Sequence, residues 1–182
     1  MQLNLVPHPA SPPADPLFKV WASVDHAASL AAVATTNIWF GVGAPASRFV
    51  IPETDEPKRA DELWRTTCFE LYIQPEQDTG YIEFNFSPSQ RWAAYDFEDY
   101  RAGMRERPLS AEPVGEGATG ERLFVQDVLL DTAVLPPKPW RLGLSAILEE
   151  EDGTISYWAL AHGAGRPDFH HPDGWLLTDE QA

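Results

Sequence analysis

Two short segments in the middle of the chain alternate between apolar and polar side chains, and this pattern restricts them to paired strands. In residues 69–73 and 82–86, every second residue is Phe, Leu or Ile. A period of two directs successive side chains to opposite faces of a strand, so one face of each segment belongs to a core. The other face has carboxyl, amide and phenol groups, which can bind a polar ligand. These residues are Glu70, Tyr72, Tyr81, Glu83 and Asn85.

The register between the two segments decides which polar side chains meet. A loop over residues 74–79 would place Glu70 opposite Glu83, with Cβ atoms about 5 Å apart. Two ionised carboxylates there would repel each other unless a cation, a shared proton or a ligand intervened. A shift of two residues would instead place Glu70 opposite Asn85 or Tyr81, and a plain salt bridge to an arginine is an equally open interpretation. The candidate cations are Arg65, Arg91 and Arg141.

The rest of the chain predicts more strands and little helix. Short apolar or alternating segments separated by Pro, Gly and Asp-Gly turns favour about eight to ten strands. We therefore expect an all-β fold, an antiparallel β-sandwich or jelly roll. Residues 27–35 are ambiguous between a helical turn and a strand. Residues 110–120 are expected to be a mobile loop. Residues 175–177 are apolar enough that we expect them to dock onto the rest of the protein. The other expected strands are 3–6, 17–24, 37–42, 49–51, 121–130, 140–148 and 155–162.

Composition limits the possible partners and compartment. A chain of 182 residues suits a single domain covering residues 1–182. The net charge of −15 argues against nucleic acid and against anionic membrane surfaces. The single cysteine, Cys68, excludes an internal disulfide and is expected to be a small buried side chain. The N-terminus lacks the pattern of a secretory signal, and no apolar run reaches the length needed to span a bilayer, so we expect a cytoplasmic protein.

Several motifs with fixed spacings lie in residues 63–70, 81–89, 91–95, 161–162 and 165–172. Together they resemble bacterial DOMON-like proteins, which are related to the family 9 carbohydrate-binding modules, and the similarity covers roughly residues 17–177. The resemblance implies a β-sandwich with a concave ligand-binding sheet, and the wider family includes sugar binders and haem-b domains. The nearest matches to the aromatic clamp of the sugar binders are Trp64 and Trp92.

The primary functional expectation is non-catalytic binding of a small polar ligand, with a saccharide as the favoured ligand, by a monomer or weak homodimer. A pyranose has an apolar ring face that stacks on aromatic side chains, and hydroxyl groups that bond to carboxylates, amides and Arg. The expected site consists of Trp64, Arg65, Glu70, Tyr72, Glu83, Asn85, Arg91, Trp92 and Trp158.

Three alternatives remain open. A haem-b domain would use a Met and a His as axial ligands, for which Met104 and His162 are available. A small glycoside hydrolase would use Glu70 and Glu83 as its paired carboxyl groups. A filled concave face would indicate a ligand-free interaction scaffold.

No cofactor and no metal site is predicted. The neighbouring His170 and His171 lie close to Asp168 and Asp173, but adjacent histidines usually point apart. Because Pro167 and Pro172 fix a bend there, the favoured interpretation of this segment is a structural turn that docks onto the sandwich.

Overall fold

The structure, a computed structural model, describes residues 2–30, 33–53 and 56–178. These residues form twelve strands, and the helical structure among them is limited to short 3₁₀ turns, which confirms the prediction of an all-β fold. The strands are β1 Gln2–Pro7, β2 Val20–Leu30, β3 Val33–Val42, β4 Cys68–Pro75, β5 Tyr81–Phe86, β6 Trp92–Phe97, β7 Arg105–Glu106, β8 Val114–Thr119, β9 Phe124–Asp131, β10 Trp140–Glu149, β11 Ile155–Ala159 and β12 Leu176–Thr178.

The strands form one large, curled antiparallel sheet that folds over on itself. The order is β7-β6-β5-β4-β10-β11-β1-β2-β3-β9-β8, and β12 pairs with β10 beside β11. Strand β1 joins the two halves, because residues 2–5 pair with β2 while residues 6–7 pair with β11. This change of partner within one strand lets the two halves face each other as the layers of a sandwich.

The main core lies between the two layers. The ring centroid of Phe69 on β4 lies 5.0 Å from that of Phe40 on β3 and 5.7 Å from that of Phe124 on β9. Alternation explains this arrangement, because Phe69, Leu71 and Ile73 all point to the same side of β4 and are fully buried. The polar residues between them are consequently on the outer face of the β4-β5-β6 layer.

The register of β4 with β5 differs from the primary expectation. Glu70 is opposite Asn85, and Tyr72 is opposite Glu83. The direct pairing of Glu70 with Glu83 was therefore wrong, and the register shifted by two residues is the correct one. A shift of two preserves the faces, so the two glutamates still share a face, as diagonal neighbours whose α-carbons are about 7–8 Å apart.

Other segments also differ from the sequence-based expectations. The expected loop at residues 110–120 contains β8, which pairs with β9 through backbone hydrogen bonds and needs no apolar face. Residues 49–51 contribute only an isolated bridge between Phe49 and Glu150. The described part of residues 27–35 belongs to β2 and β3, so the helical alternative was wrong there.

The C-terminal segment docks as expected. Strand β12 pairs with the first residues of β10, where Arg141 is opposite Leu177. No helix in the described part of the chain is long and apolar enough to cross a membrane.

Candidate functional site

A second layer of side chains covers the outer face of β4, β5 and β6. Five buried residues form it, and Leu63, Trp64, Phe169 and Trp175 pack against them from neighbouring segments. The outer face is therefore not a solvated sheet surface but the floor of an aromatic-walled site. The five buried residues are Tyr72, Tyr81, Ala93, Tyr95 and Phe97.

A hollow of about 350 Å³ opens over this floor. Its size lies within the range of small-molecule binding pockets. The floor carries two carboxyl groups, and the walls come from the 3₁₀ turn at residues 63–65, from residues 101–104 and from the C-terminal segment before β12. The lining residues are Trp64, Glu70, Tyr72, Glu83, Phe97, Arg101, Met104, Ile147, Tyr157, Pro167, Phe169 and His170.

Glu70 is 2% exposed and is bonded only to neutral groups. Its Oε2 accepts hydrogen bonds from the Tyr72 hydroxyl at 2.9 Å and from the Ser145 hydroxyl at 2.8 Å. Within the described part of the chain, its Oε1 accepts no hydrogen bond. Burial raises the pKa of the Glu70 carboxyl above its ordinary value, because the two hydroxyl donors and the charge of Arg101 only partly offset the loss of water.

Glu83 is similarly buried and also has a neutral hydrogen-bond partner. Its Oε1 accepts a bond from Nδ2 of Asn85 at 2.7 Å, and its Oε2 lies 3.8 Å from Nε2 of His170. Burial raises the pKa of Glu83, and repulsion from Glu70 raises it further. The diagonal placement of the two glutamates therefore still couples their charges.

His170 enters the site from the C-terminal segment. Its Nδ1 lies 2.7 Å from the hydroxyl oxygen of Tyr81, and its ring meets the rings of Tyr72 and Phe97 edge to face. Burial lowers the pKa of His170 to about 4, and repulsion by Arg101 contributes to the decrease. The imidazole is therefore neutral at physiological pH and does not compensate the charge of Glu83.

Arg101 is the cationic residue of the hollow, but its charge is already paired. Its guanidinium donates to Oδ1 of Asp168 at 2.8 Å, and the Tyr100 hydroxyl also donates to Asp168. The backbone N–H of Arg101 donates to the Tyr81 hydroxyl at 3.3 Å. These contacts fix residues 100–101 against the C-terminal segment at the rim of the hollow.

Trp175 fastens the C-terminal segment onto the floor. Its ring stacks on Tyr72 with centroids 5.7 Å apart, and its Nε1 donates to the Phe169 carbonyl at 2.9 Å. The indole lies directly over Gly143 of β10, where a Cβ atom would be 2.5 Å from the ring. A glycine at this position is therefore required for the segment to lie close to the sheet.

The structure brings together four of the nine residues expected in the site. Trp64, Glu70, Tyr72 and Glu83 line the hollow. Asn85 is fully buried beneath it and acts on the site through its bond to Glu83.

Two arginines and two tryptophans of the expected site lie elsewhere. Arg65 is exposed and pairs with Glu62, and Arg91 belongs to the turn between β5 and β6. Trp92 and Trp158 are in the main core and are not among the residues that line the hollow. Directly paired residues on neighbouring strands point to the same face of the sheet. Trp92 is opposite Phe86, Trp158 is opposite Ala146, and both of these partners face the core.

Several lining residues were missing from the sequence-based site. Ile147 and Tyr157 pair with each other on the outer faces of β10 and β11, and strand alternation was a signal for both. Arg101, Phe169 and His170 come from irregular segments whose docking depends on contacts distant in sequence.

The residues considered for haem and metal are also separated. Met104 lines the hollow, whereas His162 is not among its lining residues and its Nε2 bonds to the Val6 carbonyl at 2.8 Å. His171 is outside the hollow and caps the turn at residues 172–174 by accepting from the Asp173 backbone N–H. No group of three or more potential metal-binding side chains occurs in the described residues.

One solved structure places this fold among known proteins. A candidate carbohydrate-binding protein from Bacteroides uniformis ATCC 8492 is similar to 97% of this chain and 84% of its own, with a TM-score of 0.64 and 16% sequence identity. At this identity the likeness shows a shared fold. No protein-family model matches the chain, and no curated protein matches it.

Proposed function

We propose that this protein binds a saccharide, without chemistry, in the hollow over β4 and β5. The observation that carries the proposal is the pair of buried carboxyl groups on an aromatic-walled floor. In the described part of the chain, Glu70 Oε1 and Glu83 Oε2 accept no hydrogen bond from the protein. Two ligand hydroxyl groups can donate to them, one to each oxygen.

The walls complement the other part of a sugar. Trp64, Tyr157 and Phe169 offer ring surfaces, and aromatic rings are suited to the apolar face of a pyranose. The similar fold of the Bacteroides protein, which is described as carbohydrate-binding, supports the same class of ligand. The resemblance of the sequence motifs to DOMON-like proteins and family 9 carbohydrate-binding modules points in this direction as well.

Saccharide binding can be tested by calorimetry on a panel of mono- and disaccharides. We expect a ligand to bind wild-type protein and to lose about ten- to one-hundredfold in affinity with Glu83→Ala, because a hydrogen bond to a buried group is removed. Glu121→Ala is the matched control, since Glu121 is exposed and is not among the lining residues. Undiminished binding by the folded Glu83→Ala protein would remove Glu83 from the site.

Glycoside hydrolysis is the second candidate. A general acid requires a carboxyl group whose pKa is raised, and both Glu70 and Glu83 meet this condition. The corrected register removes the direct opposition from which the spacing of a retaining hydrolase was inferred, so binding is the better supported function. Release of the chromophore from aryl glycosides by wild type, and its loss in Glu70→Gln, would favour the hydrolase instead.

A further inference from the structure

The charge of the hollow is not balanced by the protein. Its ionisable lining groups are Glu70, Glu83, Arg101 and His170. Arg101 is paired with Asp168, and His170 is neutral at physiological pH. In the described part of the chain, neither glutamate therefore forms an ion pair with an arginine or lysine, although the charge of Arg101 acts on both of them from a distance.

The phenols around the glutamates do not change this balance. Burial raises the pKa of Tyr81 to about 12 and raises that of Tyr72 well above its ordinary value, so both remain neutral. They can donate hydrogen bonds but cannot neutralise a carboxylate. A protein that buries carboxyl groups in this way must either protonate them or receive a positive charge from outside.

The walls are also suited to a positive charge. Rings of Trp64, Tyr72, Phe97, Tyr157 and Phe169 surround the space above the two glutamates. The negative faces of aromatic rings attract ammonium groups, and the attraction grows when water is excluded. An aromatic cage around paired carboxyl groups is a favourable environment for a protonated amine.

We propose that the saccharide bound in the hollow carries a protonated amine, which Glu70 and Glu83 receive between the aromatic walls. This inference rests on the proposed function and narrows its ligand to amino sugars. Burial favours the protonated form of both carboxyl groups in the free protein. When the ammonium group enters, one proton leaves to solvent and the resulting carboxylate pairs with the cation, while the other carboxyl group keeps its proton.

The test is calorimetry at pH 7 with glucosamine, galactosamine and mannosamine, each compared with its parent sugar and its N-acetyl derivative. We expect at least one amino sugar to bind about tenfold or more tightly than both neutral counterparts. Its measured enthalpy should vary with the ionisation enthalpy of the buffer, because protons are released on binding.

Charge-removing variants sharpen the test. Glu83→Gln keeps the size of the side chain and should reduce the affinity for the amino sugar about ten- to one-hundredfold, while Glu121→Gln should leave it unchanged. Circular dichroism establishes that each variant is folded, and Glu70→Gln serves as a second variant on the same floor.

Two outcomes would contradict the inference in different ways. If a neutral sugar binds as tightly as its amino counterpart, the amine is not recognised, but the proposed saccharide function stands. If none of the neutral or amino sugars in the wider panel binds, both the inference and the proposed function are wrong.

Discussion

Two places in this protein bury glutamates, and they differ in how the charge is compensated. Glu150 is 3% exposed and accepts from Arg48 at 2.5 Å and from the Ala14 backbone N–H at 2.8 Å. Glu70 and Glu83 are buried to the same extent, but their hydrogen-bond donors are neutral. The first arrangement is internally complete, whereas the second leaves a charge for something else to satisfy.

The difference distinguishes a structural role for Glu150 from the ligand-binding role that we propose for Glu70 and Glu83. Arg48 pairs with both Glu150 and Asp15, and so ties the hairpin between β10 and β11 to the segment before β2. Glu70 also bonds to another segment, through Ser145 of β10, but this donor is neutral. Burial alone therefore does not indicate a binding site, whereas burial without an ion pair, next to a hollow, supports the binding role that we propose.

The largest effect expected from this comparison is on folding. Arg48→Met should lower the free energy of unfolding by about 3 kcal/mol, because Glu150 would stay buried without its cation. Chemical denaturation measures the change. Arg65→Met is the control, since Arg65 pairs with Glu62 in an exposed ion pair and should cost less than about 0.5 kcal/mol. Equal effects of the two substitutions would contradict the structural role of the Arg48 pair.

The docking of the C-terminal segment gives the next effect. Gly143→Ala should destabilise the protein by about 1–3 kcal/mol, because its Cβ would meet the Trp175 ring at 2.5 Å. Thermal unfolding and tryptophan fluorescence measure the cost and the displacement of the ring. Gly163→Ala is the control, because a Cβ at Gly163 has open space. An unchanged melting temperature for Gly143→Ala would show that Trp175 does not fasten the segment.

The smallest expected effect is the pH dependence of folding stability that arises from the carboxyl group of Glu83 in the hollow. The pKa of Glu83 is raised on folding, so the folded protein holds the proton more firmly than the unfolded chain. This contribution to stability is fully present below the unfolded pKa near 4.5 and is lost as the pH rises through the folded pKa.

Glu83→Gln removes the titration and isolates this contribution. We expect the variant to match wild type at pH 4 and to exceed its stability by about 1–2 kcal/mol at pH 9. Urea denaturation at the two pH values measures the difference, and Glu121→Gln should show none. A variant less stable than wild type at pH 9 would mean that the ionised Glu83 has a cationic partner within the protein.

The face of the site was predictable from the sequence, but its register was not. Alternation alone places Glu70, Tyr72 and Glu83 on the face opposite the core, and the structure has them there. Any shift of two residues preserves that alternation, so only the turn after β4 could distinguish Asn85 from Glu83 as the partner of Glu70.

The walls of the hollow could not be predicted in the same way. His170 and Phe169 reach the floor because Trp175 lies against Gly143, a contact between segments far apart in sequence. The position of Trp158 was predictable in principle. Its neighbour Tyr157 points to the outer face, and because side chains alternate along a strand, Trp158 points to the core. Its residue type, which suits sugar binding, was a misleading signal.

The most direct test of the account is a carbon-13 NMR titration of the glutamate side-chain carboxyl groups, with Glu70→Gln and Glu83→Gln used to assign the two resonances. We predict that the Glu70 and Glu83 carboxyls titrate well above the ordinary glutamate value of about 4.3, because both are buried without a cation. Titration of both groups at or below that value would show that the protein itself neutralises them, and would contradict the proposal that the hollow is a ligand-binding site.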